Sequence, residues 1–277
     1  MENRILITGK NSYIGDSFSE FVHNYPVDIV DMQNEEWKNY DFSSFDTVVH
    51  VAAIVHKQEK QYTVEEYKKI NTTLAYEVAK KAKESKVKQF VFLSTMSVYG
   101  VVSGVITKDT KLNPFNDYGK SKLQAERLIQ SLEDESFKVT IIRPPLVYGK
   151  GCKGNYKKLR KFALKLPFFP DVESSRSMIY IGNLCSFMKK AIDEKLSGVF
   201  CVQDGAYVNT SQMVKLVANA NGKDIKLTKV FNPLINMLLR MKIHIVCKVF
   251  GSLTYDFSLC PDYEKVDLNT AIKLTEE

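Results

Sequence analysis

A tyrosine and a lysine four residues apart are the side chains of this sequence best suited to acid–base chemistry. Tyr118 and Lys122 share one face if their segment is helical. A nearby ammonium stabilises a phenolate and lowers the pKa of the phenol, which brings a tyrosine into range as a general acid or base. Thr95 follows an apolar run and offers a second hydroxyl for a substrate oxygen. The pattern predicts a proton-transfer site, and the alternative is a solvent-facing Tyr–Lys contact.

A glycine-containing turn near the start of the chain has the context of a dinucleotide site. Residues 8–15, Thr-Gly-Lys-Asn-Ser-Tyr-Ile-Gly, follow an apolar run and precede a helical pattern. Gly9 permits a tight turn, and Gly15 lets the helix pack closely on the sheet, so that the helix N-terminus can face a pyrophosphate. Ser12 stands where the usual pattern has its middle glycine. An ordinary turn between a strand and a helix is the alternative.

An aspartate at the end of the second apolar run bears on which dinucleotide is bound. Asp31 can accept hydrogen bonds from an adenosine ribose, which favours NAD over NADP. Arg4 and Lys10 leave NADP open, because either cation can face the additional phosphate. A solvated carboxylate at the end of a strand is the alternative.

The elements that must position these residues alternate between strands and helices. Buried strands are predicted at 4–8, 27–31, 47–53, 89–94 and 139–143, and helices at 16–25, 64–85 and 118–132. Such alternation predicts an α/β fold with a Rossmann-type doubly wound parallel sheet, in which ligands bind at the carboxyl ends of the strands. The alternation weakens after about Val147, so we expect an NAD(P)-binding domain over 1–150 and a small C-terminal substrate lobe over 151–277.

The composition argues against several classes of protein. The five cysteines are widely spaced without a CxxC pair, which disfavours a disulfide framework or a zinc site and favours reduced thiols in the cytoplasm. The first residues run directly into a strand, so no signal peptide is expected. The net charge of +7 is mostly spread out and predicts a solvated surface, with an anionic ligand as the alternative. Nucleic-acid binding has no support beyond this net charge.

One later segment, residues 231–254, is apolar in patches. It contains Arg240, Lys242, His244 and Lys248, which a membrane-spanning helix would tolerate poorly. We therefore expect an amphipathic helix of the second lobe. A peripheral contact with a membrane is the alternative.

Four motifs occur in one order and at suitable spacing along the chain. They are the turn at 8–15, Ser94-Thr95 with Val98-Tyr99-Gly100, Tyr118 with Lys122, and Arg143-Pro144-Pro145-Leu146-Val147-Tyr148-Gly149. Together they resemble the extended short-chain dehydrogenases/reductases of the NAD-dependent epimerase/dehydratase family, over roughly residues 3–200. The resemblance implies an enzyme that binds NAD, with NADP left open, and that acts on a nucleotide-activated sugar.

The resemblance also implies a role for each matching residue. Tyr118 would donate or accept the proton, Lys122 would hold the nicotinamide ribose, and Thr95 would orient the sugar hydroxyl or carbonyl. The cofactor would be lined by Gly9, Ser12, Tyr13, Ile14, Gly15, Asp31, Ala52, Ala53, Asn71 and Pro144, together with Tyr118 and Lys122. On the substrate side, Arg176 would clamp a diphosphate, Lys153 and Asn155 would replace a usual asparagine that is Leu146 here, and His56 would face the sugar or be structural.

Two observations narrow the activity that the resemblance implies. Dehydratases of the family carry an acidic pair where this chain has Met96 and Ser97, so 4,6-dehydration is not expected. Residues 52–56 and 144–156 are similar to a bacterial polysaccharide-sugar subgroup whose members are 4-epimerases or 4-keto reductases. Both reactions transfer a hydride at carbon 4 of a UDP-sugar. The missing acids and the subgroup favour the reductase by a small margin, whereas Asp31 and the family at large favour the epimerase.

Two further expectations concern rivals and partners. A non-catalytic dinucleotide-binding relative is the alternative from another class, and it would be expected to lack Tyr118 or Lys122, both of which are present. The helices predicted at 64–85 and 118–132 would pair across a homodimer as a four-helix bundle, as in enzymes that this chain resembles.

Overall fold

The computed structural model describes residues 3–55 and 62–277, which form two compact units that interleave along the chain. The first unit takes the described residues up to Gly100, then Lys111–Pro144 and Cys185–Val202. The second unit takes Val101–Thr110, Pro145–Leu184 and Gln203–Glu277. The assignment of cofactor binding to one part and substrate binding to the other stays a prediction.

The helices and strands are short and regularly distributed. The strands are β1 (Ile5–Thr8), β2 (Val27–Val30), β3 (Thr47–His50), β4 (Gln89–Leu93), β5 (Gly104–Ile106), β6 (Lys138–Arg143), β7 (Leu146–Tyr148), β8 (Phe168–Pro170), β9 (Met178–Tyr180), β10 (Gly198–Cys201), β11 (Lys226–Thr228) and β12 (Leu253–Tyr255). The helices are α1 (Tyr13–Phe21), α2 (Val64–Tyr67), α3 (Leu74–Glu84), α4 (Asp117–Gln130), α5 (Asn155–Lys165), α6 (Ile181–Asp193), α7 (Thr210–Ala220), α8 (Asn232–Arg240), α9 (His244–Phe250) and α10 (Leu268–Glu276). A π-helical segment, Lys68–Thr73, joins α2 to α3, and 3-10 turns lie at Glu35–Asn39, Met96–Tyr99 and Phe257–Leu259.

Six parallel strands form the sheet of the first unit, in the order β10-β6-β4-β3-β1-β2. Thr8 of β1 pairs with Val30 of β2 on one side and with His50 of β3 on the other. The chain thus runs from β1 to β2 in one direction and returns to β3 in the other. In doubly wound sheets this reversal opens a crevice at the carboxyl ends of the two diverging strands. The predicted doubly wound parallel sheet is confirmed.

The helices of the first unit pack their apolar faces against this sheet. Phe90 and Phe92 of β4 share a buried cluster with Ala79 of α3 and with Ala125 and Ile129 of α4. Small alanines let these helices approach the large rings closely, and the packed interior leaves little freedom to shift. The core therefore holds α4 firmly in place against the middle of the sheet.

The first helix begins earlier than its hydrophobic pattern predicts. Helix α1 starts at Tyr13 rather than near residue 16, because Ser12 caps it and its side chain accepts a hydrogen bond from the Gly15 N–H. The helix ends at Phe21, several residues before Pro26.

The second unit combines three two-stranded parallel pairs with helices. The pairs are β5 with β12, β7 with β9, and β8 with β11. Buried Asp204 ties this unit together, because its carboxylate accepts hydrogen bonds from the Tyr148 hydroxyl, the Tyr180 N–H and the Asn183 amide. Across the described residues no helix is both long and apolar enough to cross a membrane.

Candidate active site

The crevice between β1 and β3 is shaped by a glycine at which any side chain would press on the neighbouring backbone. Gly9 has φ +132°, and a Cβ there would lie 2.9 Å from the backbone nitrogen of Ala52. The Ala52 N–H donates to the carbonyl of Thr8, which holds the two strand ends side by side. Gly9 and Ala52 therefore meet, as the resemblance implies, and leave backbone rather than side chains along this part of the crevice.

The N-terminus of α1 lies directly after the turn that follows Gly9. Ser12 caps the helix, and Tyr13 and Ile14 form its half-buried first residues. A Cβ on buried Gly15 would lie 3.0 Å from a Val51 methyl, so the glycine brings the helix close to the sheet. A capped helix N-terminus beside a glycine turn fits a dinucleotide pyrophosphate. The middle glycine of the usual pattern is not needed for this cap, because serine supplies it.

Asn11 contributes to the same turn and was not singled out from the sequence. Its φ of +60° lies in the left-handed region. Asparagine tolerates this conformation better than most residues do, so its type was an available signal. The turn 8–15 thus uses two residues suited to positive φ, Gly9 and Asn11, to reach the start of α1.

Asp31 follows β2 directly, at the same edge of the sheet as Gly9. It is half-buried, and one carboxylate oxygen accepts a hydrogen bond from the Gln33 N–H at 2.9 Å. The other oxygen is the one suited to a ribose hydroxyl. The role of Asp31 in favouring NAD stays a prediction.

Asn71 lies in the π-helical segment that interrupts the predicted helix 64–85. The residue is fully buried. Its amide oxygen accepts from the Ile54 N–H, and its amide nitrogen donates to the Ile54 carbonyl and to the Ser121 hydroxyl. Both amide donors are thereby used within the protein. Asn71 therefore holds Ile54, which follows β3, and Ser121 of α4 in place. Helical turns of the π type are common at functional sites.

Tyr118 and Thr95 face each other beyond the carboxyl end of β4. Asn116 caps α4 by accepting the Gly119 N–H at 2.7 Å, which places Tyr118 in the first helical turn. A Cβ on Gly119 would lie 2.7 Å from the Ser97 carbonyl oxygen, so the helix approaches the turn after Thr95 very closely. The Thr95 side chain lies close enough to the phenol to lower the pKa of Tyr118, and its hydroxyl donates to the Ser97 hydroxyl at 3.3 Å. The structure therefore brings two of the three predicted catalytic residues together.

The pKa of Tyr118 departs from the expectation drawn from its spacing to Lys122. Burial outweighs the lowering effect of Thr95 and raises the pKa of Tyr118 to about 12. The expected lowering by Lys122 is wrong for this structure, because the lysine ammonium lies 4.0 Å from the ring centroid of Phe92. The ammonium therefore interacts with the Phe92 ring, and in this position it does not stabilise the phenolate of Tyr118.

Lys122 is almost fully enclosed, with 2% of its surface exposed. Burial lowers the pKa of Lys122 to about 7, and the nearby Glu126 carboxylate opposes this effect. Near neutral pH the lysine therefore exchanges readily between its charged and neutral forms. The protonation state of the Lys122 amine can therefore change with the charge of a ligand that binds next to it.

A buried polar network lies directly behind Lys122. Glu126, which is fully buried, accepts from the Arg143 guanidinium at 3.0 Å and 2.6 Å, and the Ser94 hydroxyl donates to the same carboxylate. Arg143 also donates to the Tyr99 hydroxyl at 3.0 Å. Sequence reasoning missed Glu126, although its position four residues after Lys122 places it on the same helix face.

A second tyrosine lies next to Tyr118 and was also missed. The ring centroid of Tyr67 is 6.4 Å from that of Tyr118, and Tyr67 is 4% exposed. Among the described residues its hydroxyl has no hydrogen-bond partner. A buried hydroxyl without a partner is costly, so it is available to a ligand oxygen.

The remaining predicted residues are placed separately. Pro144 follows β6, and its carbonyl accepts the Met96 N–H at 3.0 Å. In the second unit, Lys153 and Asn155 are exposed at the start of α5, and the Arg176 guanidinium donates to the carbonyls of Cys247 and Gly251 at the end of α9. His56 lies outside the described residues.

Comparison with known proteins places this chain in a family. The sequence model of the NAD dependent epimerase/dehydratase family matches residues 5–200. A UDP-glucose 4-epimerase from Vibrio cholerae is 35% identical over 231 residues, which cover 76% of this chain and 68% of that protein. An N-acetyl-α-D-glucosaminyl-diphospho-ditrans,octacis-undecaprenol 4-epimerase from Escherichia coli O157:H7 is 27% identical over 274 residues, covering 91% and 82%.

Solved structures with low sequence identity share the fold. The crystal structure of a UDP-glucuronic acid 4-epimerase from Bacillus cereus in complex with NAD superposes with a TM-score of 0.73 at 20% identity, covering 99% of this chain and 95% of that one. The residues of the crevice fit the dinucleotide that this family uses, since the turn after Gly9 leads directly to the N-terminus of α1, which Ser12 caps. The chain belongs to the NAD-dependent epimerase/dehydratase family, and it is an NAD-dependent enzyme of the extended short-chain dehydrogenase/reductase type.

Proposed function

We propose that this chain is a 4-epimerase of UDP-sugars that uses Tyr118 to move the proton of the 4-hydroxyl. The observation that supports this most strongly is the close approach of the start of α4, which carries Tyr118, to the turn after Thr95, where a Cβ on Gly119 would lie 2.7 Å from the Ser97 carbonyl oxygen. Relatives that span most of the chain bear the names of 4-epimerases. Two hydroxyls that face each other suit a substrate oxygen that alternates between alcohol and ketone.

The proposed chemistry divides proton and hydride transfer between protein and cofactor. NAD, when bound, supplies the acceptor and later the donor of a hydride for carbon 4, and it brings a positive charge. Tyr118 takes the proton of the 4-hydroxyl as the ketone forms and returns it when the alcohol re-forms. Thr95 is proposed to turn its hydroxyl from Ser97 to the phenolate, which stabilises the deprotonated form. Because burial raises the pKa of Tyr118 to about 12, additional positive charge is needed for deprotonation at neutral pH.

Lys122 is proposed to supply such charge by moving its ammonium from the Phe92 ring toward the phenol. Its pKa of about 7 lets it become fully protonated when an anionic group approaches. We therefore propose that Lys122 acts as a charge partner and as a ligand of the nicotinamide ribose. Behind Lys122, two hydrogen bonds from Arg143 hold the Glu126 carboxylate in place. The negative charge of this carboxylate favours the protonated form of Lys122.

The preference for a 4-keto reductase, reached from the sequence by a small margin, is not confirmed. A reductase uses the same tyrosine to protonate the ketone oxygen but consumes NAD(P)H with every turnover. Names of epimerases among the relatives support the epimerase instead. The two reactions differ in stoichiometry, so a single assay separates them.

The experiment is to incubate the purified chain with UDP-hexoses and UDP-N-acetylhexosamines without added NADH, and to identify products by NMR. We expect interconversion of the 4-epimers with no net use of coenzyme. Tyr118→Phe serves as the inactive control. Turnover that requires stoichiometric NADH and a 4-keto substrate would replace the epimerase by the reductase.

A second substrate class is favoured by one relative. The epimerase from Escherichia coli O157:H7, whose name specifies a diphospho-undecaprenol sugar, aligns over 91% of this chain. The same assay with a polyprenyl diphosphate sugar therefore belongs beside the UDP-sugars. The substrate with the higher kcat/KM identifies the carrier that the enzyme recognises.

Two remaining predictions are carried forward as proposals. Arg176 is proposed to bind the diphosphate of the substrate, because a guanidinium fork suits phosphate oxygens. The helices α3 and α4 are proposed to form the interface of a homodimer. Light scattering after size-exclusion chromatography gives the oligomeric state directly.

A further inference from the structure

Helices α8 and α9 of the second unit expose an unusually apolar surface. Val230 is 78% exposed, Met241 61% and Ile245 71%. The exposed apolar side chains are Val230, Phe231, Leu234, Met237, Met241, Ile243 and Ile245. We call this set of side chains the α8–α9 surface. Contiguous exposed apolar surface of this kind marks an interaction site more often than scattered single residues do.

The geometry of α8 aligns part of this surface into a stripe. Leu234 and Met237 of α8, with Met241 at its C-cap, follow one another at helical spacing and lie along one side of the helix, and Val230 lies in the turn before it. Ile235 is buried, as is Cys247 of α9, so the inward faces of both helices are already in use. The exposed stripe is thus an additional apolar face, beyond the one that holds the helices on the unit.

The apolar surface continues onto the neighbouring strand pair. Phe168 of β8 is 48% exposed, and its ring stacks on that of Phe231 with centroids 5.9 Å apart. Strand β8 pairs with β11, which begins with exposed Lys226. The α8–α9 surface is therefore extended by an aromatic pair and bordered by a lysine.

The charge of this region has a single sign. Residues 225–255 contain no aspartate or glutamate, although 32 of the 277 residues of the chain are acidic. The same segment contains five cations, Lys226, Lys229, Arg240, Lys242 and Lys248. Arg240, Lys242 and Lys248 are exposed within or beside the stripe. An apolar stripe whose own segment carries only cations is complementary to a surface that is apolar inside and anionic outside.

We propose that the α8–α9 surface docks this enzyme on an anionic phospholipid bilayer, with α8 lying in the plane of the interface. The apolar stripe would enter the boundary between headgroups and acyl chains, and the lysines and the arginine would contact lipid phosphates. Neither helix needs to span the bilayer, which agrees with their lengths of nine and seven residues.

A second copy of the chain is the less suitable occupant. A symmetric contact through the α8–α9 surface would bring the same cations of two copies together. Like charges at an interface oppose association, and no acidic residue in 225–255 compensates them. Charge complementarity therefore selects the bilayer. The docking proposal is argued only from the exposed side chains of the α8–α9 surface, so it does not depend on the proposed 4-epimerase activity.

The test is co-sedimentation of the full chain with vesicles of phosphatidylcholine, with and without phosphatidylglycerol. We expect binding to the anionic vesicles that weakens as salt is raised, because screening reduces the attraction of exposed cations. Met237→Ser/Met241→Ser should lower the partition coefficient by about tenfold or more, since each loses a buried apolar side chain. Arg240→Glu/Lys242→Glu should lower it by about tenfold to a hundredfold, at about 1 kcal/mol per basic residue.

Matched variants elsewhere keep the test specific. Phe21→Ser/Leu274→Ser removes two side chains that are each 41% exposed on other helices, and Lys108→Glu/Lys111→Glu reverses two exposed loop cations. Both control pairs should bind anionic vesicles within about twofold of the wild type. Circular dichroism verifies that each variant is folded.

Three results would overturn the proposal. The first is the absence of binding to phosphatidylglycerol vesicles, and the second is equal loss of binding in the test and control variants. The third is a concentration-dependent dimer that Met237→Ser/Met241→Ser dissociates while vesicle binding is absent, which would assign the surface to a second copy. Catalytic activity enters none of these readouts, so a failed epimerase assay leaves the docking result intact.

Discussion

The buried pair of Glu126 and Arg143 allows a demanding prediction about stability. Glu126 is fully buried and Arg143 is 7% exposed, with two hydrogen bonds joining them. Glu126→Gln leaves the guanidinium buried beside a neutral amide, while the new side chain still accepts from Ser94. Removing one partner of such a pair costs about 3–5 kcal/mol, because the remaining charge is uncompensated. Arg143→Met should cost a similar amount, since it leaves the carboxylate alone.

The double variant Glu126→Gln/Arg143→Met should be far more stable than the sum of the two losses. It buries no unpaired charge, so we expect its free energy of unfolding to lie within about 2 kcal/mol of the wild type. The coupling energy of the cycle should then be several kcal/mol. Urea unfolding followed by fluorescence suits this measurement, because the single tryptophan, Trp37, is buried in the cluster that also holds Ile129. Additive losses in the double variant would refute the reasoning.

Three further predictions test other parts of the account. Burial lowers the pKa of His50 to about 3, so as pH falls below about 6.5 the unfolded chain binds a proton on this imidazole and the folded chain does not. Between pH 7.5 and 5, the free energy of unfolding should therefore fall by about 2 kcal/mol more in the wild type than in His50→Gln, as measured by urea unfolding at both pH values. Equal falls in the two proteins would contradict burial of a neutral imidazole. Gly9→Ala should raise the Kd for NAD, measured by calorimetry, at least about tenfold. The control Gly104→Ala, at a positive φ with open space around it, should leave this Kd unchanged. Equal effects of the two variants would show that the close contact of Gly9 with Ala52 is not what NAD binding requires. Arg176→Ala should raise the KM for the sugar nucleotide about tenfold or more with little change in kcat, and an unaltered KM would remove its proposed contact with the diphosphate.

Much of the first unit was predictable because its signals are local. Short β-branched runs mark strands that are buried on both faces, and the alternation with helices allows few topologies. The meeting of Gly9 with Ala52 follows from that topology, since residues after adjacent parallel strands share one edge of the sheet.

Other features of the site depend on packing that the sequence does not display. The spacing of Tyr118 and Lys122 suggests a direct charge contact, yet the buried lysine turns to the ring of Phe92, a residue of a different element. Asn71 bonds inward because a π-helical turn redirects it toward Ile54. Glu126 and Arg143 are distant in the chain and meet only once α4 is packed on the sheet. Such pairings are set by tertiary contacts, which no local pattern encodes.

The central claim is that the Tyr118 phenol moves the proton of the substrate hydroxyl. The direct measurement is kcat for 4-epimerisation by Tyr118→Phe, accompanied by calorimetric titration with NAD. We expect kcat to fall by about a hundredfold or more while the Kd for NAD stays within a few fold. Turnover close to that of the wild type, with normal NAD binding, would contradict the claim and assign the proton transfer to another group.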